Sequence, residues 1–322
     1  MHLLWVEWTF TDKVSTIATV NLRDRCIVKL CYRSWRAYSL ANATVTVNGI
    51  RVPIVGAIGL NNLDLLSRQF QTVLKAALAV RPGGYVVDVG ANVGKFLLNL
   101  ISLDRSNPYI GFEPLLSGAA YIRRLIVDNN LRSHSIVAVA LGEYCGTATI
   151  RFGHESDESA TLTDSTRPPS MYPFQQRVAT STADIQLADI ESISFVKIDV
   201  EGTELSVIRG MKSVLERHRP PMLIEVMPYA YLLDDTYDRE YFGNLPESEA
   251  KRVGIARREH SLAIGTFLHE QNYVFYTCSR DGYISPVTTL DRGSSKDRET
   301  DFLVLPSETA NAFIENISSH GA

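Results

Sequence analysis

Two stretches of this chain gather acids where a ligand could meet them. In the first, Asp88-Val89-Gly90-Ala91-Asn92-Val93-Gly94, an acid and two glycines follow the apolar run from Tyr85 to Val89. Phe96, Leu97, Leu98, Leu100, Ile101 and Leu103 then recur at helical spacing. A strand, a glycine turn and a helix start make a ligand cradle. The first helical N–H groups lack partners, and the glycines let the backbone approach a ligand with no Cβ in the way. A dinucleotide fingerprint would need three glycines. Asn92 stands where its second would be, and Asp88 at the strand end would repel a pyrophosphate while suiting a cation or a hydroxyl. In the second stretch, Phe195-Val196-Lys197-Ile198-Asp199-Val200-Glu201-Gly202-Thr203-Glu204, strand alternation puts Lys197 and Asp199 on one side as neighbours able to pair. Asp199, Glu201 and Glu204 crowd the carboxyl end of that strand, where open α/β sheets bind their ligands. Glu204 also suits the first turn of the helix that follows, where an acid offsets the unpaired N–H groups.

The elements that must position these acids alternate in type. Tyr109 to Pro114 reads as a strand ending in Glu113, about twenty residues past the glycine loop, where an acid can accept hydrogen bonds from a ribose diol. Leu115 to Asn130 is helical, His134 to Ala140 a strand, and Pro221 to Val226 another buried strand ending in an acid, Glu225. Strands alternating with helices predict an α/β, doubly wound, Rossmann-like and mostly parallel sheet. Tyr273 to Tyr276 and Phe302 to Leu305 are expected as an antiparallel pair completing it, connected through Arg292 to Thr300. Residues 1–60 form a β-rich N-terminal appendage, in which Asn48-Gly49 between two alternating runs signals a hairpin. A helix from Leu63 to Val80 opens the second domain, 61–322. The polar stretch 153–176 has no periodicity and is expected to be a lid or binding loop, with His154 a candidate to touch the substrate. Asp234 and Asp235 read as a turn or helix start, and no metal site is expected. Lys251, Arg252, Arg257 and Arg258 read as the solvated face of a helix whose other side carries Ile255, Leu262, Phe267 and Leu268.

Composition narrows the classes. The 322 residues are 45% hydrophobic and 21% charged, as in an ordinary globular protein. A net charge of −4 gives no global basic surface and argues against a nucleic-acid partner. The four cysteines (Cys26, Cys31, Cys145, Cys278) lack a metal-binding spacing and are expected to be reduced, as in a cytoplasmic protein. The N-terminus lacks a basic signal-peptide start, and no apolar run reaches membrane-spanning length. On the fold alone, an NAD(P)-dependent oxidoreductase or a non-catalytic binding protein on the same scaffold are the rival readings. The first should carry a fuller glycine fingerprint, and the second could dispense with Asp199 and Glu201.

Taken together, Asp88 to Gly94, Phe112-Glu113-Pro114, Ala140-Leu141-Gly142, the Lys197 to Glu204 element, Ile224-Glu225-Val226 and Phe302 to Pro306 resemble the FkbM family of methyltransferases dependent on S-adenosyl-L-methionine. The resemblance covers roughly residues 65–306 and leaves out the first 60. It implies a class I methyltransferase fold, a seven-stranded mixed sheet between helices. It implies that Asp88, Gly90, Asn92 and Gly94 cradle the methionine end of the cofactor, that Glu113 holds its ribose, and that Pro114 and Leu141 border it. The acceptor is expected to be a hydroxyl on a small molecule, a saccharide or a glycosylated or polyketide natural product. Asp199 is expected to face the transferred methyl, Glu201 to orient or deprotonate the acceptor, and Lys197 to hold Asp199. His154 stands next in line as the base.

Overall fold

A computed structural model describes residues 4–9, 15–20, 43–55, 62, 66–154, 157, 159–229, 246–290 and 300–320. Strands β1 (Leu4–Thr9) and β2 (Ser15–Val20) pair antiparallel. The expected hairpin follows as β3 (Ala43–Val47) and β4 (Ile50–Ile54), closed by Asn48 at φ 51° and Gly49 at φ 75°. Two consecutive positive φ angles make the mirror-image turn whose twist matches that of the strands it joins. The basic residues Arg23 to Arg36, the pair Asp234 and Asp235, and the connection from Arg292 to Arg298 lie outside the described residues.

Helix α1 (Arg68–Val80) starts from Ser67, whose hydroxyl accepts from the amide of Phe70. The strand–helix repeats come next: β5 (Tyr85–Val89), α2 (Lys95–Leu103), β6 (Tyr109–Phe112), α3 (Leu116–Asp128) and β7 (His134–Val137). A smaller three-stranded sheet interrupts them, with β10 (Phe174–Ser181) between β8 (Ala140–Leu141) and β9 (Gly146–Phe152). The strand expected from His134 to Ala140 thus splits. The amide of Val139 turns back onto the carbonyl of Val137, and Ala140 and Leu141 pair with Thr180 and Ser181 instead.

The chain continues through α4 (Ala183–Gln186), β11 (Ile193–Ile198), α5 (Glu204–Arg209), α6 (Lys212–His218), β12 (Met222–Glu225), α7 (Glu247–Glu270), β13 (Tyr273–Cys278), β14 (Ile284–Val287), β15 (Asp301–Pro306) and α8 (Ala310–His320). The large sheet runs β14-β13-β15-β12-β11-β5-β6-β7. Strands β12, β11, β5, β6 and β7 are parallel, and β15 is antiparallel to both β12 and β13. These are the seven expected strands, with β14 added at the edge.

Chain order reverses between β5 and β11, which opens a crevice at their carboxyl ends. Both faces of the sheet are covered, as the near-continuous apolar runs of β5, β11 and β12 require. One face carries α1, α2, α3, α8 and the hairpin, with Leu74, Leu97, Ile122, Phe313 and Val52 in one cluster. Helices α5, α6 and α7 cover the other through Ile208, Leu215 and Ile264. The hairpin is part of this core. Val45, Val47, Ile50, Val52 and Ile54 are buried, the phenol of Tyr121 donates to the carbonyl of Pro53, and the amide of Asn129 donates to the carbonyl of Arg51 at 2.7 Å while its oxygen accepts from the Arg51 amide at 2.8 Å.

This last contact gives the first prediction. Asn129→Ala leaves both Arg51 backbone groups without their partner and should cost about 1–3 kcal/mol. Urea unfolding should show a lowered midpoint with an unchanged slope. A wild-type midpoint would mean that the Asn129–Arg51 contact contributes nothing to global stability.

Candidate functional site

The crevice holds a cavity of about 280 Å³. Gly90, Ala91, Asn92, Val93 and Lys95 line one side, Glu113, Pro114 and Leu141 a second, and Lys197, Asp199, Glu201 and Glu225 the floor toward β12. Gly90 has φ 79°, and a Cβ there would fall 1.8 Å from the carbonyl oxygen of Asp199, so the two strand ends meet only because this residue is glycine. Asn92 takes φ 47°, and Gly94, at φ 75°, caps α2 without a side-chain hydrogen bond. The first amides of α2 are therefore left for a ligand.

Glu113 ends β6 and is buried. Its two oxygens accept from the amides of Asn92 and Leu115, both at 2.8 Å. Burial pushes its carboxyl up to about 7, and the two amides pull against that without overcoming it. Asp88 is fully buried beneath the turn and is not part of the lining. The phenol of Tyr109 donates to its Oδ2 at 2.8 Å, and Lys197 Nζ stands 3.5 Å from its Oδ1. Gly94 likewise shapes the turn from behind the lining, where a Cβ would press on Ile122.

The pairing expected between Lys197 and Asp199 is present at 3.1 Å, and Lys197 also donates to the carbonyl of Gly90 at 3.3 Å. Burial works against the Lys197 charge, but Asp199 and Asp88 outweigh it and raise its pKa. Asp199 opens onto the cavity, its side chain 32% exposed. Burial would raise this carboxyl, yet Lys197 and a hydrogen bond shared with Glu225 hold it below the ordinary range. The ionised Asp199, followed by burial, drives Glu225 well above that range, and the two share a hydrogen bond. Asp301, beside them on β15, is raised to about 6 by burial and by Asp199, and Gln69 Nε2 donates to its Oδ2. Glu201 stands at φ 57°, and its Oε2 is paired with Arg167. Burial pushes Glu201 up to about 7 against the pull of Arg167.

Oxygens of Asp199, Glu201 and Glu225 lie within 4.8 Å of one another, the single such grouping of metal-capable side chains among the described residues. Three convergent oxygens could serve a hard cation. Here Arg167 pairs with Glu201, Lys197 pairs with Asp199, and Asp199 and Glu225 share a hydrogen bond.

Other expectations meet the structure differently. His154 is exposed and outside the lining. The segment 153–173 does border the cavity, through Asp157, Ala160 and Leu162. Helix α7 corrects the sequence reading of its faces. Arg257, expected on the solvated side, is 2% exposed, while Ile255 and Leu262 are exposed. The buried stripe runs Val253, Gly254, Arg257, Ser261, Ile264 and Leu268, because α7 packs against the loop as well as the sheet.

Sequence reasoning passed over Arg167, His260 and Gly118. Arg167 sat among prolines and gave no signal. Gly118 did give one, a glycine inside a helical pattern, which marks a close backbone approach. A Cβ there would lie 2.7 Å from the carbonyl of Asn92 and 2.9 Å from Glu113 Cγ.

The family description "Methyltransferase FkbM domain" matches residues 88–275, more than half of the chain. The chain belongs to this family, and its cofactor is S-adenosyl-L-methionine. Among solved structures, it is similar to methyltransferase FkbM from Methylobacillus flagellatus, with 15% identity over 89% of this chain and 71% of that one and a TM-score of 0.39. It is also similar to an O-methyltransferase from Bacillus cereus (13% identity, 75% and 82% covered, TM-score 0.38) and to a Podospora anserina methyltransferase (9%, 84% and 97%, 0.40). No curated relative matches the chain. No helix among the described residues is long and apolar enough to cross a membrane.

Gly118→Ala should push the Asn92 turn and Glu113 apart. Calorimetric titration with S-adenosylhomocysteine should show binding weakened by roughly tenfold, the equivalent of about 1.4 kcal/mol. Wild-type affinity in this variant would mean that the Asn92–Glu113 contact does not shape the cofactor side.

Proposed function

We propose that the chain moves a methyl group from S-adenosyl-L-methionine to a hydroxyl of a small molecule, a saccharide or a glycosylated or polyketide natural product, in the cytoplasm. The observation that carries this reading is the make-up of one cavity. Phe70 borders it together with Asp199, Glu201 and Glu225, offering aromatic surface to C–H faces and carboxylates to hydroxyls, while the buried Phe96 backs Phe70 edge-on.

The cradle suits the cofactor. Gly90 lets the ends of β5 and β11 close together beneath the cavity, and the bare start of α2 suits a carboxylate. In this reading Gly90, Asn92 and the α2 amides hold the methionine end, with Asp88 and Gly94 shaping the turn. Glu113 accepts from the ribose hydroxyls, and Pro114 and Leu141 border the ring. When bound, the cofactor supplies an electrophilic methyl group on a sulfonium. Asp199, kept ionised by Lys197, faces that positive region. Glu201 takes the acceptor's proton on Oε1 while Arg167 fixes Oε2. A carboxyl titrating near 7 matches a general base working at neutral pH, because a substantial share of it is free of a proton there and that share is basic enough to accept one.

Two outcomes test the residues. Ribose hydroxyls donate to an ionised Glu113, so binding should favour the deprotonated form. The sign follows from the raised pKa: affinity is full above about 7 and falls as pH drops through it. Titrations with S-adenosylhomocysteine at pH 8 and pH 6 should differ by roughly tenfold in wild type and by much less in Glu113→Gln. A flat wild-type profile removes Glu113 from the ribose.

Glu201→Gln should cut turnover by about 10²–10⁴-fold with cofactor affinity near wild type. Normal turnover moves the base elsewhere. Turnover abolished by chelators and restored by magnesium would instead make the carboxylates metal ligands. Mass spectrometry of glycans or natural-product extracts incubated with methyl-labelled cofactor should find the label on oxygen. Label confined to protein or to nitrogen overturns the hydroxyl assignment.

A further inference from the structure

Glu201 occupies an unusual backbone. A residue with a side chain at φ 57°, followed by Gly202 at φ 108°, is held in a sparsely populated backbone region that persists only where the surroundings fix it. Two arms do so, and both lead to one helix.

The first arm is the carboxylate of Glu204, 1% exposed. Its Oε1 accepts from the amide of Gly202 at 2.9 Å, and His260 Nε2 donates to its Oε2 at 2.7 Å. The second arm is the loop carrying Arg167. Thr161 Oγ1 donates to the carbonyl of Glu201 at 2.7 Å. Thr166 packs so closely on the turn that a Cβ on Gly202 would lie 2.1 Å from its hydroxyl oxygen. Arg257 Nε in turn donates to the carbonyl of Thr166 at 2.9 Å, and its Nη1 donates to the carbonyl of Pro228, after β12, at 3.0 Å. Residues three apart on a helix are neighbours on its surface. One buried edge of α7 therefore grips the turn from its helix side and its loop side.

We propose that Arg257 and His260 are positioning residues that hold the Glu201–Arg167 pair in its working geometry from two sides. Neither borders the cavity. This rests on the reading of Glu201 as the base, and deepens it. A buried arginine satisfying carbonyls of two separate segments, and a histidine meeting a buried carboxylate that itself holds a strained turn, exceed what packing α7 would require. The groups facing Glu201 are Arg167 and Tyr172 from the loop, Asp199 and Glu204 from its own segment, and Glu225 from β12. His260 faces Glu204.

The test uses the full chain with S-adenosylhomocysteine bound and carboxyl-labelled glutamate, following the Glu201 carbon by NMR across pH and assigning its signal by its loss in Glu201→Gln. His260→Leu and Arg257→Met should each move the Glu201 titration by about one pH unit or more, while affinity for S-adenosylhomocysteine stays within about threefold of wild type. His260→Gln and Arg257→Lys keep a donor in place and should restore most of the wild-type titration. A Glu201 titration unchanged in both His260→Leu and Arg257→Met overturns the proposal. So does a matched loss of cofactor affinity and melting temperature with no rescue by the conservative variants, because that is the pattern of a general packing defect. The NMR readout needs no acceptor, so it stands apart from the base assignment, which fails separately if Glu201→Gln turns over normally.

Discussion

One buried ammonium ion organises the centre of this molecule. Lys197 lies in register with Asp88 on the neighbouring strand, and it touches Asp88, Asp199 and the carbonyl of Gly90 at once. A buried charge is tolerated only when paired, and removing one partner of such a pair typically costs about 3–5 kcal/mol because the other is stranded. The sheet's switch point, the glycine turn and the acid at the end of β11 are thereby fixed to one another. The close meeting of Gly90 with Asp199 is the geometric side of the same constraint.

The site holds more acids than cations. Asp88, Glu113, Asp199, Glu201, Glu225 and Asp301 gather around Lys197 and Arg167. Asp199 wins Lys197 and stays ionised, and Arg167 is taken by Glu201. Glu225 and Asp301 are left to titrate higher, so these groups exchange protons as a set and not one by one. This excess leaves carboxyls that titrate near neutral pH along the cavity, through Glu113 and Glu201. A rim of matched ion pairs would offer no such group.

The support of that set is long-range. The loop between β9 and β10 supplies Arg167 and Thr161, the segment after β12 supplies the carbonyl of Pro228, and α7 joins the two. The small sheet of β8, β9 and β10 gives the loop its two fixed ends, with Arg151 and Thr161 pairing just inside it. Arg167, Thr161 and Pro228 thus come from parts outside the parallel strands, while Gly90, Asn92 and Glu113 directly follow β5 and β6.

What the sequence determined by itself was local. The glycine turn, the acids ending β6 and β11, the Lys197–Asp199 neighbourhood and the Asn48-Gly49 hairpin each depend on residues a few positions apart, where periodicity and turn chemistry act directly. Membership of the family followed from the same short motifs. Tertiary structure decided what those motifs face. It buried Asp88 under the turn, joined Glu225 to Asp199 across two strands, and brought Arg167 onto Glu201 from 34 residues away. It also turned α7 so that Arg257 points inward. Arg257 lies on the same buried stripe as Val253, Ser261, Ile264 and Leu268, and an arginine that finds two backbone carbonyls can be buried as well as a leucine, so the pattern of charges along α7 could not reveal which side the protein would cover.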